Sequence, residues 1–232
     1  MNHNIAIVLS GGVGNRMKSD IPKQYIEVNG VPVFMYSVKT IADTRLFDAL
    51  VIGAASEWRN YIKNNIELAS VSLPVFFSQP GKTRQLSVLN ALETINGLGY
   101  DDGTVLVHDA ARPLVSRELI VRCVEECRDA DGVLPVISVK DTIYQSKDGT
   151  HIDGLIDRSI LWNGQAPEAF SFLKYYKAHQ DIPTNQLLSI NGSTELAYKA
   201  GLQCKMIEGD PMNFKITTPE DLVSFQNIIN NK

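Results

Sequence analysis

The chemistry this chain could perform is concentrated near its start, where the apolar run Ile5-Ala6-Ile7-Val8-Leu9 empties into Ser10-Gly11-Gly12-Val13-Gly14-Asn15-Arg16-Met17, with Pro22-Lys23-Gln24-Tyr25 close behind. Glycines at 11, 12 and 14 let the backbone approach an anion closely and turn successive N–H groups toward it. Arg16 and Lys23 add two full positive charges to the same region. A strand, a bare-backbone loop and two cations are the parts needed to hold a polyphosphate and to stabilise charge as it is attacked. The whole chain carries a net charge of −4, so an anion must be drawn by local focusing in a water-poor site rather than by bulk charge.

Two familiar glycine patterns do not fit. A dinucleotide fingerprint, G-x-G-x-x-G, fails because Met17 stands where its third glycine belongs. A P-loop, G-x-x-x-x-G-K-[ST], fails at Gly81-Lys82-Thr83 because Phe76 occupies the first glycine position. A ligand-free strand-to-helix turn would account for the glycines alone, but not for Arg16, Pro22 and Lys23 beside them.

A second set of chemical residues follows another apolar run, in Val107-His108-Asp109-Ala110-Ala111-Arg112-Pro113. Asp109 could coordinate Mg²⁺ or accept from a sugar hydroxyl, and the forked guanidinium of Arg112 suits a phosphate. The plainer alternative is an Asp–Arg pair bracing a loop. A third set, Gly81-Lys82-Thr83-Arg84-Gln85-Leu86-Ser87, opens a predicted helix. Its free N–H groups, with Arg84 and Ser87, could contact a nucleotide, while Thr83 acting only as a helix cap is an equal competitor.

The elements that must position these residues are legible in the hydrophobic pattern. Strands are predicted at Ile5–Leu9, Ala49–Gly53, Val75–Phe77, Thr104–Val107 and Gly132–Val136. Helices are predicted at Val33–Ala42, Glu57–Leu68, Arg84–Ile95 and Arg117–Arg128. Near-continuous apolar strands alternating with helices imply a Rossmann-like, mostly parallel α/β sheet covered by helices on both faces. Ligands then bind at the carboxyl ends of the strands, where the glycine loop and Asp109 both fall.

Beyond Val136 the pattern changes. Ser138–Gln145 alternates and meets Gly154–Ile156 across a turn containing Asp148-Gly149, a hairpin signal. This β-arm, at about 138–160, cannot bury both of its faces and is expected to pack on a second copy of the chain. Helices at Phe172–Gln180 and Ser193–Ala200, a strand near Lys205–Glu208 and a final helix complete one domain over residues 1–232. The final helix is well started, with Thr218 as cap, Pro219 in the first turn, and Glu220 and Asp221 at its positive end.

Composition excludes several classes. The chain has 232 residues, 44% of them hydrophobic, enough for a real core, and no apolar run approaches a membrane span. No basic stripe of the kind nucleic acid requires is present. Cys123 and Cys127 sit four apart on a predicted helix, but no further pair or histidine completes a metal site, so buried free thiols are expected. With no leader pattern, a cytoplasmic protein is expected.

Taken in order, the glycine loop with Arg16, the Pro22-Lys23-Gln24-Tyr25 run, His108-Asp109-Ala110-Ala111-Arg112-Pro113, Asp157-Arg158 and Asn213-Phe214-Lys215-Ile216-Thr217-Thr218-Pro219-Glu220-Asp221-Leu222 resemble the 2-C-methyl-D-erythritol 4-phosphate cytidylyltransferases and the related ribitol-5-phosphate cytidylyltransferases. The resemblance covers essentially the whole chain. It implies the nucleotide-diphospho-sugar transferase type of fold, CTP and a small polyol phosphate as substrates, Mg²⁺ as cofactor, and a homodimer. It further implies catalytic roles for Arg16, Lys23 and Lys215, and nucleotide contacts from Ser10, Gly11, Gly12, Gly14, Gly81, Arg84 and Ser87. Acceptor contacts would come from Asp109, Arg112, Thr142 and Arg158, with Asp109 also the candidate metal ligand. Thr142 and Arg158 would be delivered by the partner's arm, making each active site composite.

Two departures bear on the acceptor. The family's usual Gln-Thr-Pro-Gln is Gln165-Ala166-Pro167-Glu168, and its Thr-Asp-Glu-Ala-Ser run is Asn191-Gly192-Ser193-Thr194-Glu195. A lost hydrogen bond to a polyol can shift discrimination by orders of magnitude. The expected acceptor is 2-C-methyl-D-erythritol 4-phosphate, for isoprenoid precursor synthesis, with ribitol 5-phosphate for a surface polysaccharide as the alternative. A non-catalytic nucleotide-binding protein is the alternative of another class.

Overall fold

Four successive residues without a polar member, Ile5 to Val8, have no face to give to solvent, and the strand that contains them lies in mid-sheet with all four buried. The computed structural model describes residues 3–12, 21–100 and 102–231. In chain order its strands are β1 (His3–Leu9), β2 (Glu27–Val28), β3 (Val31–Pro32), β4 (Ala49–Gly53), β5 (Val75–Ser78), β6 (Gly103–Asp109), β7 (Gly132–Ser138), β8 (Ile143–Gln145), β9 (Gly154–Ile156), β10 (Trp162–Gly164), β11 (Glu168–Ser171) and β12 (Cys204–Glu208). The helices are α1 (Val33–Asp43), α2 (Ser56–Leu68), α3 (Arg84–Gly97), α4 (Arg117–Glu126), α5 (Phe172–Asp181), α6 (Thr184–Leu187), α7 (Ser193–Lys199) and α8 (Pro219–Asn230).

The main sheet runs β5-β4-β1-β6-β11-β7, with β10 and β12 also paired to β7. β5, β4, β1 and β6 are mutually parallel, and Ile7 faces both Val51 and Val107 across the ladders. β11 enters antiparallel between β6 and β7, which makes the sheet mixed but mostly parallel, as the alternation implied. Side chains leave successive strand residues on opposite faces. Ala6, Val8, Leu50, Ile52 and Leu106 therefore pack with α1, α2 and α4, through Phe34, Val38, Ile62 and Leu119. Ile5, Ile7, Val51, Val105 and Val107 pack with α3, α5 and α7, through Val88, Leu92, Tyr175 and Leu196. A small third cluster of Val28, Val33, Ile216 and Phe225 seats α8 against the entry to α1.

The sequence-predicted boundaries hold with local revisions. The helix expected over Arg117–Arg128 ends at Glu126 and tightens into a 3₁₀ turn over Cys127–Asp129. The arm's paired hairpin is shorter than the alternation suggested, joining Ile143–Gln145 to Gly154–Ile156, while Ser138 closes β7. Its apolar side chains face outward, Leu155 and Ile160 among the most exposed in the chain. The short strands β10 and β11 carried no clear alternation. Cys123 and Cys127 are buried free thiols, the Cys127 thiol pushed up by burial to about 12. None of the described helices is long and apolar enough to cross a membrane.

Two histidines sit inside the fold. His108 in β6 is fully buried, with Nε2 donating to the Arg112 carbonyl at 3.1 Å. His179 in α5 is buried, with Nδ1 donating to the Tyr175 carbonyl at 3.0 Å. Burial pushes both imidazoles down to about 4, so the folded chain keeps them neutral where the unfolded chain takes up protons. The stability this gives is present above the ordinary histidine value near 6.5 and is lost as pH falls from there toward 4, at up to roughly 3 kcal/mol per histidine. The thermal midpoint should therefore fall markedly between pH 7.5 and pH 5, and fall less in a His179→Gln variant. A flat profile over that range would contradict the assignment of two neutral, buried imidazoles.

Candidate active site

The parallel strands β1 and β6 end side by side, and that edge of the sheet opens into a cavity of about 610 Å³. Gly11, Gly12, Lys23 and Gln24 form one side. Gly81, Lys82, Thr83, Arg84 and Ser87 form another, and Asp109, Ala110, Ala111, Lys215 and Thr217 close the third. Among the described residues, four cationic side chains and one carboxylate line it, an electropositive set on an acidic chain.

The glycine lip is held by neutral hydrogen bonds. The run Pro22-Lys23-Gln24-Tyr25 makes a 3₁₀ turn, from which the buried Gln24 amide donates to the Ser10 carbonyl at 2.6 Å and the Gly12 carbonyl at 2.9 Å. Tyr25 Oη donates to the same Ser10 carbonyl at 2.9 Å and is backed by Trp58, stacked at 4.2 Å. The turn thus fixes the loop and brings Lys23 to its face. The glycines divide in purpose. A Cβ on Gly11 would lie 2.4 Å from Pro80 Cβ, and one on Gly81 2.3 Å from Leu86 Cβ, so both are needed for the close approach of neighbouring segments. A Cβ on Gly12 would meet nothing within 4 Å among the described residues, so its bareness keeps the cavity open rather than letting protein pack.

At the start of α3 the helix-cap expectation for Thr83 is met, and Ser87 bonds within the turn itself. Thr83 Oγ1 accepts from Leu86 N as a helix cap, and Ser87 Oγ accepts from Gly81 N at 2.9 Å, which shapes the turn that lines the cavity. Arg84 points to the opposite wall.

There Asp109 is the centre of a charge cluster. Its Oδ1 accepts from Arg84 Nε at 3.2 Å, its Oδ2 from Lys215 Nζ at 2.8 Å, and Arg112 Nε lies 4.0 Å away. Burial alone would raise this carboxyl, but Arg84 and Lys215 more than reverse that and hold it well below the usual carboxylate range. Arg112 also donates to the Asn213 carbonyl at 2.6 Å, and Asn213 in turn donates to the Ala166 carbonyl at 2.7 Å. Ile216 N donates to the Ala111 carbonyl at 2.8 Å, so the loop bearing Lys215 is stitched to the loop bearing Asp109. Just beyond, Asp221 Oδ2 accepts from Thr217 and Thr218 within the capping box that starts α8, which fixes the far end of the same loop.

Of the residues expected at the site, Gly11, Gly12, Lys23, Gly81, Arg84, Ser87, Asp109 and Lys215 share this cavity. Ser10 lies just behind it, buried. Gly14 and Arg16 fall outside the described residues. Thr142 and Arg158 are on the arm rather than in this cavity, with Arg158 donating to the Lys140 carbonyl. Sequence reasoning gave no role to Glu168, whose carboxylate pairs with Arg84 at 3.1 Å. The Asn191-Gly192-Ser193-Thr194-Glu195 departure was read only as bearing on the acceptor. Ser193 is instead fully buried and accepts from Arg84, and Thr194 donates to Glu168 at 2.8 Å.

As to a metal, no group of three His, Cys, Asp or Glu side chains among the described residues forms a cage. Magnesium commonly takes one or two carboxylates together with substrate phosphates and water, and each oxygen of Asp109 keeps a lone pair beyond the bonds already described. Asp109 therefore fits as a single protein ligand to a cation that arrives with a polyphosphate.

Comparison with known proteins agrees with this geometry. A family model described as 2-C-methyl-D-erythritol 4-phosphate cytidylyltransferase (IspD) matches residues 4–231. The 2-C-methyl-D-erythritol 4-phosphate cytidylyltransferase of Clostridium beijerinckii is 35% identical over 97% of this chain and 98% of its own length. The ribitol-5-phosphate cytidylyltransferase of Streptococcus agalactiae is 29% identical over 96% of this chain and 93% of its own. Among solved structures, the 2-C-methyl-D-erythritol 4-phosphate cytidylyltransferase of Francisella tularensis superposes with a TM-score of 0.81 at 26% identity, covering 97% of this chain and 100% of that one. A match over almost the entire chain, with relatives above 30% identity, means that the chain belongs to the 2-C-methyl-D-erythritol 4-phosphate cytidylyltransferase family and is a cytidylyltransferase.

Proposed function

We propose that the cavity binds CTP and that the chain joins its cytidylyl group to a polyol phosphate, with 2-C-methyl-D-erythritol 4-phosphate as the acceptor. An oxygen of the acceptor's phosphate attacks the α-phosphorus in line, the bond from that phosphorus to the bridging oxygen breaks, and pyrophosphate departs with the electron pair. A phosphate monoester is already ionised near neutrality, so no strong base is required. Positioning and charge neutralisation carry the rate. The observation that supports this most is that Lys23 and Lys215, from opposite ends of the sequence, line one cavity with the bare Gly11–Gly12 backbone.

In this reading Lys23, Lys215 and Arg16 stabilise the charge that develops on the triphosphate. Ser10, Gly11, Gly12, Gly14, Gly81 and Ser87 contact the nucleotide, as does the exposed edge of Arg84, whose side chain is 23% accessible. Asp109 and Arg112 face the ribose and acceptor. Mg²⁺, bound with the triphosphate and to Asp109, would neutralise phosphate charge. The protein is a homodimer in the cytoplasm, its arm reaching across so that Thr142 and Arg158 serve the partner's acceptor. The outward-facing Leu155, Ile160 and Trp162 on that arm and its return support such a contact.

The acceptor is decided by steady-state kinetics of pyrophosphate release from CTP with each polyol phosphate. 2-C-methyl-D-erythritol 4-phosphate should be preferred in kcat/KM. Ribitol 5-phosphate remains the second reading because a relative carries that name and Ala166 removes a hydroxyl. A preference for ribitol 5-phosphate above roughly tenfold, about 1.4 kcal/mol in transition-state binding, would reverse the choice.

Gly12→Ala tests the nucleotide lip. The added methyl meets no described atom, so the thermal midpoint should be unchanged while KM for CTP rises roughly tenfold through lost close approach. Unaltered CTP kinetics would remove Gly12 from the phosphate cradle. For the composite site, Lys23→Ala and Arg158→Ala chains should each be nearly inactive and regain activity when mixed, because mixed dimers collect both lesions in one site. Verified subunit exchange without recovery would place each site within a single chain.

A further inference from the structure

Arg84 makes a hydrogen bond from each of its three guanidinium nitrogens. Nε donates to Asp109 at 3.2 Å, Nη2 to Glu168 at 3.1 Å and Nη1 to the Ser193 hydroxyl. Burial would weaken its charge, but the two carboxylates more than reverse that and hold it firmly protonated. One cation between two buried carboxylates has little net charge to offer a phosphate. Beyond its exposed edge, its geometry serves to hold Asp109.

Glu168, the first residue of β11, is 6% exposed, and both of its oxygens accept. Oε2 takes the Arg84 bond, while Oε1 takes Thr194 N at 2.9 Å and Thr194 Oγ1 at 2.8 Å. Those partners cannot both be satisfied by an amide. A glutamine has one accepting oxygen and one NH₂: toward Arg84 the NH₂ would face a donor, and toward Thr194 it could donate to Oγ1 but would face the Thr194 N–H and leave it without its acceptor. A buried donor facing a donor costs its full desolvation. The position therefore demands a carboxylate so long as residue 193 is neutral. Residue 193, touching the adjacent nitrogen of the same guanidinium, is where a carboxylate could take over that demand.

We infer that Glu168 is a positioning residue of the transfer reaction. It clamps Arg84 from behind the cavity wall, ties it to the loop entering α7, and through Arg84 sets Asp109 at the acceptor end of the site. The clamp requires one carboxylate, which either position 168 or position 193 can supply. The placing of Asp109 toward the acceptor rests on the function proposed above, and the charge requirement does not.

The test compares wild type with Glu168→Gln, Ser193→Glu and the double variant in two assays, thermal midpoint and cytidylyl transfer. Glu168→Gln should lower the midpoint and reduce kcat/KM for the acceptor by more than about tenfold, with the dissociation constant for CTP changed by less than about threefold. Ser193→Glu alone should also be impaired, since it crowds a third carboxylate onto one guanidinium. The double variant should recover most of the midpoint and come within about fivefold of wild-type kcat/KM. Should Glu168→Gln fail to fold, recovery in the double variant still decides the matter. Wild-type behaviour of Glu168→Gln, or a double variant no better than it in both assays, would overturn the inference. Wild type inactive with either acceptor would instead refute the functional reading, with the midpoints still testing the charge requirement.

Discussion

A single buried carboxylate organises this protein's working edge. Asp109 draws Arg84 from the start of α3, Arg112 from its own loop and Lys215 from the loop before α8 into one cluster. Burying a charge costs several kcal/mol unless it is paired and fully hydrogen-bonded, and here two of the three partners, Arg84 and Lys215, come from distant parts of the chain. The folded state can satisfy Asp109 only by assembling the site, which couples the protein's stability to its active geometry.

The two lips of the cavity are held by different physics. The acceptor-side wall depends on charge, with Asp109 and Glu168 sharing Arg84. The glycine lip depends on neutral, directional bonds from Gln24 and Tyr25 to the carbonyls of Ser10 and Gly12. The Ser10 N–H donates to the Gly53 carbonyl at 2.9 Å, so both backbone groups of Ser10 are tied to protein and the base of the loop is fixed. In the function proposed above, a polyphosphate would meet the fixed glycine lip and Lys23 on one side and the balanced Asp109 cluster on the other, so little would need to reorganise as charge develops.

Much of this was legible in the sequence because the chemistry was written in local patterns. The unbroken apolar run at β1 dictated a central strand, and alternation with helices dictated the layers. Lys23 and Asp109 stood out as charged residues close to the glycine loop and to a strand end, whereas Lys215 was marked by the family resemblance alone. What escaped were relations with no local signature. β11 begins with an acid and follows a proline, so its Glu168-Ala169-Phe170-Ser171 run shows no strand alternation, yet register with β6 and β7 buries it. Glu168 and Ser193 lie in the two runs that depart from the family pattern, which were read as bearing on the acceptor with no role for Glu168 itself. Both touch Arg84 instead, a contact between segments far apart in sequence. His108, in the same run as Asp109 and Arg112, is a neutral core residue that orders the Arg112 turn.

The aromatic stack behind the glycine lip gives the molecule a built-in optical division of labour. Of the two tryptophans in the chain, Trp58 lies against Tyr25, whose hydroxyl grips the loop, while Trp162 stands half-exposed at the return of the arm. Indole emission follows the polarity and quenching of its surroundings, so the bluer component of the spectrum belongs to the half-buried Trp58 behind the glycine lip and the redder component to the more exposed Trp162 at the arm. Replacing either indole with phenylalanine isolates the other, and each leaves an intrinsic reporter of one end of the catalytic assembly without any attached dye.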